Sequence, residues 1–310
     1  MDNLSFLENG SLNRKRISIL PIPIDIGSGN PGVKDTPGYF FKLGLCPALN
    51  SVGIKSGVLP EIPATREKGP VDISRALKEI IQTVRGEIIK KNRVLAIGGD
   101  HVISVGTIAG ASEALKGDLG VIWIDAHGDI NTPETTISGN VHGMSLATIL
   151  GIGDDGLNDL VKHKIKKENV LYIGLKDLDQ AEINVIRKGK ISVVTIIDIL
   201  EKGFGGVKEK IDLLRKRVDK VWVSLDVDVM DKSFAPASLM VTDGGLSYRE
   251  ITNLMTMIGK TFDVMGLDIV ELMPERDVDN KTGNVCLELI LSAFGSRYDW
   301  YSRHMNNYKK

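Results

Sequence analysis

Residues 120–144 read GVIWIDAHGDINTPETTISGNVHGM, and the reading of this stretch decides the rest. It opens on an apolar run, Val121-Ile122-Trp123-Ile124, and breaks into Asp125-Ala126-His127-Gly128-Asp129. A run that short, bounded by polar residues, suits a strand buried on both faces. If the backbone stays extended beyond it, Asp125, His127 and Asp129 alternate with Ala126 and Gly128 and share one face. Two carboxylates and an imidazole at the end of a buried strand are costly unless a cation neutralises them. The stretch therefore outlines a metal site.

Working outward, similar apolar runs recur at Ile17–Ile22, Gly53–Leu59, Arg93–Ile97, Val170–Ile173, Ile191–Ile196, Val221–Asp226 and Val264–Ile269, making eight with Val121–Asp125. Helical periodicity lies between them. Ile73, Leu77, Ile80, Val84 and Ile88 repeat at steps of three and four, as do Val207, Ile211, Leu214 and Val218. Ser247-Tyr248-Arg249-Glu250 fits a capping box, and a last helix is predicted from Val285 to Phe294. Strands alternating with helices predict an α/β fold, a mainly parallel eight-stranded sheet covered on both faces. No linker or repeat divides the chain, so one domain is expected over 16–310, behind a polar arm at 1–15.

The bulk numbers narrow the function. Of 310 residues, 42% are hydrophobic and 25% charged, with a formal net charge of -1, which points away from nucleic acid and anionic membranes. Cys46 and Cys286 form no spacing motif, the N-terminus has no apolar signal region, and no run reaches the ~18 residues of a bilayer span. A cytoplasmic protein is expected.

In a parallel sheet, ligands bind outside the carboxyl ends of the strands. Polar residues cluster at those ends: Gly98-Gly99-Asp100-His101 after the third run, Asp125, His127 and Asp129 after the fourth, Asp226 and Asp228 at spacing two after the seventh, and Glu271 after the eighth. Singly, such an Asp is a turn former or a helix cap. Together, two His and four Asp make six ligands; with no Cys among them they favour two Mn²⁺ ions, Co²⁺ or Ni²⁺ remaining open. Such a pair activates water for hydrolysis. His142, an exposed loop histidine on its own, becomes a candidate proton shuttle beside that set. Asn131, Thr136, Ser138 and Asn140 are either turn chemistry or donors for a ligand carboxylate. Asp177, Asp179 and Glu182 are either a solvated helix start or partners for an ammonium group.

GGDH (98–101), DAHGD (125–129), SLDVDVMD (224–231) and LDIVE (267–271) resemble the ureohydrolase superfamily of arginase, agmatinase and formiminoglutamase. The likeness spans nearly the whole chain, and residues 130–144 and 279–295 resemble arginase more closely than agmatinase. The resemblance implies a three-layer α/β/α fold, homotrimers or homohexamers, and hydrolysis of a small guanidino substrate, foremost L-arginine to L-ornithine and urea. It implies a first manganese site completed by His101 and Asp129, a second by His127 and Asp228, with Asp125 and Asp226 bridging. Glu271 would pair with the guanidinium, Asp129 would relay a proton and His142 would shuttle one. Asn131, Thr136 and Ser138 would hold an α-carboxylate, Asp179 with Glu182 an α-amino group. One stretch departs from the family pattern: Ser238-Leu239-Met240-Val241 stands where Thr-Gly-Thr-Pro is usual, and Met240 replaces a hydroxyl near the guanidinium. A thioether cannot donate a hydrogen bond, so agmatine, guanidinobutyrate or another amidino compound is the alternative substrate. A silent family member acting as a partner subunit is the alternative of another class.

Overall fold

The computed structural model describes residues 16–28, 32–63, 73–153 and 156–295; the 1–15 arm and residues 296–310 lie outside them. The strands are β1 (Ile17–Ile22), β2 (Ser56–Val58), β3 (Arg93–Gly98), β4 (Gly120–Ile124), β5 (Val170–Leu175), β6 (Ser192–Thr195), β7 (Lys220–Asp226) and β8 (Asp263–Val270). The helices are α1 (Thr36–Lys42), α2 (Leu45–Ser51), α3 (Ile73–Ile89), α4 (Ile103–Ala114), α5 (Ser145–Leu150), α6 (Gln180–Gly189), α7 (Ile196–Arg215), α8 (Tyr248–Thr261) and α9 (Lys281–Ala293). All eight predicted strands are present, in the order β2-β1-β3-β8-β7-β4-β5-β6, and every pairing is parallel.

Strand alternation divides the interior into two cores. Ile17, Leu95, Ile122, Leu171 and Val223 point to one face, against Phe40 of α1, Leu49 of α2, Val207 of α7, Ile251 of α8 and Leu289 of α9. Leu20, Val94, Trp123, Tyr172 and Trp222 point to the other, against Leu77 of α3, Ile108 of α4, Leu146 of α5 and Ile186 of α6. This is the expected three-layer α/β/α arrangement, and it explains why the strands read as unbroken apolar runs instead of alternating ones.

Several boundaries differ from expectation. The second strand is only three residues long, and Ile196 opens α7 because Thr195 caps that helix in a capping box with Asp198. Val218 continues the apolar stripe of α7 but lies beyond its end. The last helix starts at Lys281, four residues before Val285. The capping box at Ser247 and Glu250 is present, opening α8.

The extended geometry expected at the two acidic strand ends is corrected. β4 stops at Ile124, and the chain turns so that Asp129 takes a φ of 47°. β7 ends at Asp226, whose carboxylate accepts the Asp228 N–H at 2.8 Å and winds Val227–Val229 into a 3-10 turn. In both places a short acidic side chain bonds its own backbone two residues on, which is cheaper than prolonging an unpaired strand. The carboxylates are gathered by turns, not by a shared pleat.

Candidate metal centre

β3, β8, β7 and β4 are neighbours in the sheet. Parallel pairing therefore brings Asp100 and His101, Glu271, Asp226 and Asp228, and Asp125 to one edge. A tight crossing fixes the β3 end: a Cβ at Gly99 would stand 1.6 Å from the Ile24 carbonyl oxygen, so only glycine fits there. Asp100, fully buried, accepts the N–H groups of Gly27, Ser28 and Val102 at 2.6, 3.1 and 3.0 Å. His101 follows it, facing the basin.

The His101 ring stacks on Trp123, centroids 4.2 Å apart. Its Nε2 meets Ser224 Oγ at 2.9 Å, and Ser224 Oγ lies 2.9 Å from Ser104 Oγ, which donates to Asp268 Oδ2 at 2.9 Å. Thr107 donates to the same Asp268 oxygen at 3.0 Å. This hydroxyl chain occupies Nε2 and aims Nδ1 at the acidic edge. There Nδ1 lies 3.0 Å from Asp129 Oδ2, 3.1 Å from Asp125 Oδ2 and 3.4 Å from Asp226 Oδ2. His127 Nδ1 is 2.8 Å from Asp228 Oδ2 and 3.6 Å from Asp125 Oδ1. Ligand atoms of His101, Asp125 and Asp226 lie within 4.8 Å of one another, as do those of Asp125, His127 and Asp228. Asp125 belongs to both groups; Asp226 joins the first alone.

The electrostatics show which charge this basin suits. Burial pushes Asp226 well above the usual carboxylate range, and the charges of Asp228 and Asp125 add to it. Burial and the Asp125 charge raise Asp129, and the same two causes bring Asp228 up to about 6. Burial alone would depress His101; the carboxylates of Asp125, Asp129 and Asp226 outweigh it and hold the ring well above its ordinary value. Three buried carboxylates, Asp129, Asp226 and Asp228, are thus pushed toward holding protons, while His101 and His127 outweigh burial and hold Asp125 well below the usual carboxylate range. The buried His101 Nδ1 makes no hydrogen bond of good geometry among the described residues. Carboxylates and imidazole nitrogens sharing one acidic oxygen pair fit a couple of divalent cations.

Glu271 sits over the edge at a φ of 63°. Its Oε1 accepts the His101 N–H at 2.7 Å and lies 3.1 Å from His142 Nδ1, while the buried Oε2 has no hydrogen-bond partner among the described residues. His142 is on a 3-10 turn, Val141–Met144, and only a fifth of its side chain is exposed, unlike a free loop histidine. Burial would lower it; the Glu271 carboxylate outweighs that and raises it to about 9.

A cleft of about 370 Å³ opens onto this basin. It is lined by His127, Asp129, His142, Asp226, Asp228 and Glu271, and by every predicted substrate contact: Asn131, Thr136, Ser138, Asn140, Asp179 and Glu182. Asp177 lines it too. Asp179 caps α6 in a capping box with Glu182, so the helix-start reading holds. Asp177 is exposed and Asp179 half-buried, but Glu182 is not solvated: it is buried, and burial with the nearby Asp129 charge raises it to about 7. Sequence reasoning missed Asp100, Ser104, Thr107, Ser224 and Asp268. GGDH drew attention to Asp100 only as a turn, and hydroxyls inside apolar runs look like ordinary strand and helix residues.

A parallel α/β sheet carrying this donor set at its carboxyl edge defines a class, the metal-dependent hydrolases. The Arginase family model matches residues 15–295. Arginase of Bacillus subtilis is 37% identical, the match covering 91% of this chain and 99% of that one. The crystal structure of arginase from Bacillus subtilis superposes with a TM-score of 0.86 at 36% identity, over 92% of this chain and 100% of that one. Entamoeba histolytica arginase, solved in complex with L-ornithine, gives a TM-score of 0.85 at 30% identity, over 93% and 100%. The chain belongs to the arginase family.

Proposed function

We propose that the chain hydrolyses L-arginine to L-ornithine and urea. The observation that carries this reading is the convergence of His101, Asp125, Asp129, His127, Asp226 and Asp228 beneath Glu271, whose buried Oε2 has no hydrogen-bond partner among the described residues. His101 and Asp129 would complete a first Mn²⁺ position and His127 and Asp228 a second, with Asp125 common to the two groups and Asp226 beside the first; Co²⁺ or Ni²⁺ would suit the same donors. When bound, the cations supply activated water at neutral pH and stabilise charge developing on the guanidinium.

Glu271 orients the guanidinium with Oε2, its Oε1 being held by the His101 N–H. Asp129 Oδ2 passes a proton to the departing amine, and His142 Nδ1 restores it from solvent. Thr136 Oγ1 and Ser138 Oγ accept the N–H groups of Gly139 and Asn140, which leaves both hydroxyl protons to donate to an α-carboxylate, with Asn131 and Asn140 alongside. Asp179 and Glu182 take the α-ammonium. The same reading carries a cytoplasmic homotrimer or homohexamer, a count that light scattering gives directly.

The second reading keeps the chemistry and changes the substrate. It is favoured by Met240, which lines the cleft with no hydroxyl to offer. Urea release from Mn²⁺-loaded protein, with arginine, agmatine, guanidinobutyrate and guanidine in parallel, separates the two. Preference for arginine supports the first; preference for a compound without an α-carboxylate overturns it in favour of the second. Silence on all four refutes both.

A further inference from the structure

The polar lining of the cleft is accounted for above, and three apolar side chains are left: Ile137, Leu239 and Met240. They are not equivalent. Leu239 is turned inward, 7% exposed, and packs with Val33 and Met273. Ile137 and Met240 stand open, 89% and 52% exposed. The backbone that presents Met240 is pinned from beneath. Leu239 N–H donates to the Glu271 carbonyl at 2.7 Å, Met273 N–H to the Ala237 carbonyl at 2.7 Å, and Arg276 Nη1 to the Ser238 and Leu239 carbonyls at 3.3 and 3.2 Å. The Ser238 side chain is buried as well. The loop therefore commits its one leucine to the interior and its one methionine to the cleft.

Position along the cleft gives these two side chains a task. Met240 is one residue past the backbone bonded to Glu271, at the guanidinium end. Ile137 lies between Thr136 and Ser138, at the carboxylate end. A guanidino amino acid has charged groups at both ends and bare methylenes between them, and the charged walls offer nothing to cover that stem. We propose that Met240 and Ile137 close on the methylene stem of the substrate and so determine which guanidino compounds this chain accepts. The inference rests on the proposed guanidino-hydrolase reading. Apolar groups exposed in the free protein are desolvated only when a stem lies between them, and each buried methylene is worth ~0.8 kcal/mol, about fourfold in affinity. Met240 is also unbranched and polarisable, a side chain that adapts to stems of different shape.

The test uses Mn²⁺-loaded full-length protein and two probes: arginine, with a three-methylene stem, and methylguanidine, with none. Calorimetric affinity and steady-state rates are measured for the unmodified protein, Met240→Ser, Ile137→Ser and Met240→Leu. Expected are an affinity for arginine about tenfold weaker in each serine variant, expressed in KM with kcat within twofold, and a less negative heat-capacity change of binding. Methylguanidine affinity should move less than twofold, and Met240→Leu should restore arginine binding. Equal weakening of both probes, loss in kcat alone, or no rescue by leucine overturns the clamp. If the unmodified protein hydrolyses neither probe, the arginine-hydrolase reading fails. The clamp is then judged on affinity alone: it stands if arginine binds and the serine variants weaken it, and falls if arginine does not bind.

Discussion

The imidazole of His101 is fixed on three sides: stacked on Trp123, bonded through Nε2 to Ser224, and turned with Nδ1 toward three carboxylates. A hydroxyl chain ending on a buried carboxylate makes the outer nitrogen the donor and leaves the inner one bare for a cation. Ser224→Ala should therefore weaken metal retention ~10–100-fold without unfolding the chain, as measured by chelator competition. His142 carries the clearest titration. In metal-free protein its ring should titrate by NMR at about 9, and Glu271→Gln should bring it down toward 6.5, because the carboxylate is what holds the proton. A folded value raised above the unfolded one means that this ion pair stabilises the fold fully below pH 6.5 and that its contribution is lost as the pH rises through about 9. Loading with Mn²⁺ should lower the titration again, since a nearby cation disfavours imidazolium. Residues with charge or metal chemistry were legible one by one in the sequence. Their supports were not: Ser224 and Asp268 lie inside apolar strands, and a hydroxyl in such a run carries no mark of the partner that the fold gives it.

Among elements, the strands were read well because burial on both faces leaves continuous Val, Ile and Leu. The amphipathic helices α3 and α8 were read from their stripes. Helix α4 was not, for a physical reason: Ile103 through Ser112 are all buried, so no polar face alternates with an apolar one and no period shows. The turns after β4 and β7 were misjudged because a carboxylate bonding its own backbone leaves no trace in spacing. Where elements meet, Glu87 of α3 is a buried polar tie: it accepts from Ser18 of β1 at 2.5 Å, Lys90 at 2.7 Å and Asn92 at 2.8 Å. Burial would raise this carboxyl, but those three donors outweigh it and hold it below 4.5. Its contribution is present above pH 4.5 and is lost as the pH falls through the lowered folded value. Glu87→Gln should cost about 1–3 kcal/mol in urea unfolding at pH 7, and the two proteins should converge toward the acid edge of the folded range.

At the scale of the molecule, sheet order joins what sequence separates. β3, β8, β7 and β4 are scattered along the chain yet adjacent in space, so four buried carboxylates meet where the sheet ends. Their repulsion opposes folding until cations arrive. Bound ions at a hundredfold excess over Kd should each add ~2.7 kcal/mol, or about 4 °C in Tm. Chelation should remove that increment, and the increment should shrink in Asp129→Asn. The backbone adds a second demand. Among the described residues, left-handed Lys91, Lys116 and Lys190 close helices, and Asp279 and Asn280 precede α9. Asp129 and Glu271 are left-handed too, yet each follows a strand and faces the cleft. That conformation costs a non-glycine residue on the order of 1 kcal/mol. A lineage bred only to survive heat would drift toward glycine or asparagine at both positions, and its most durable descendants would be chemically inert.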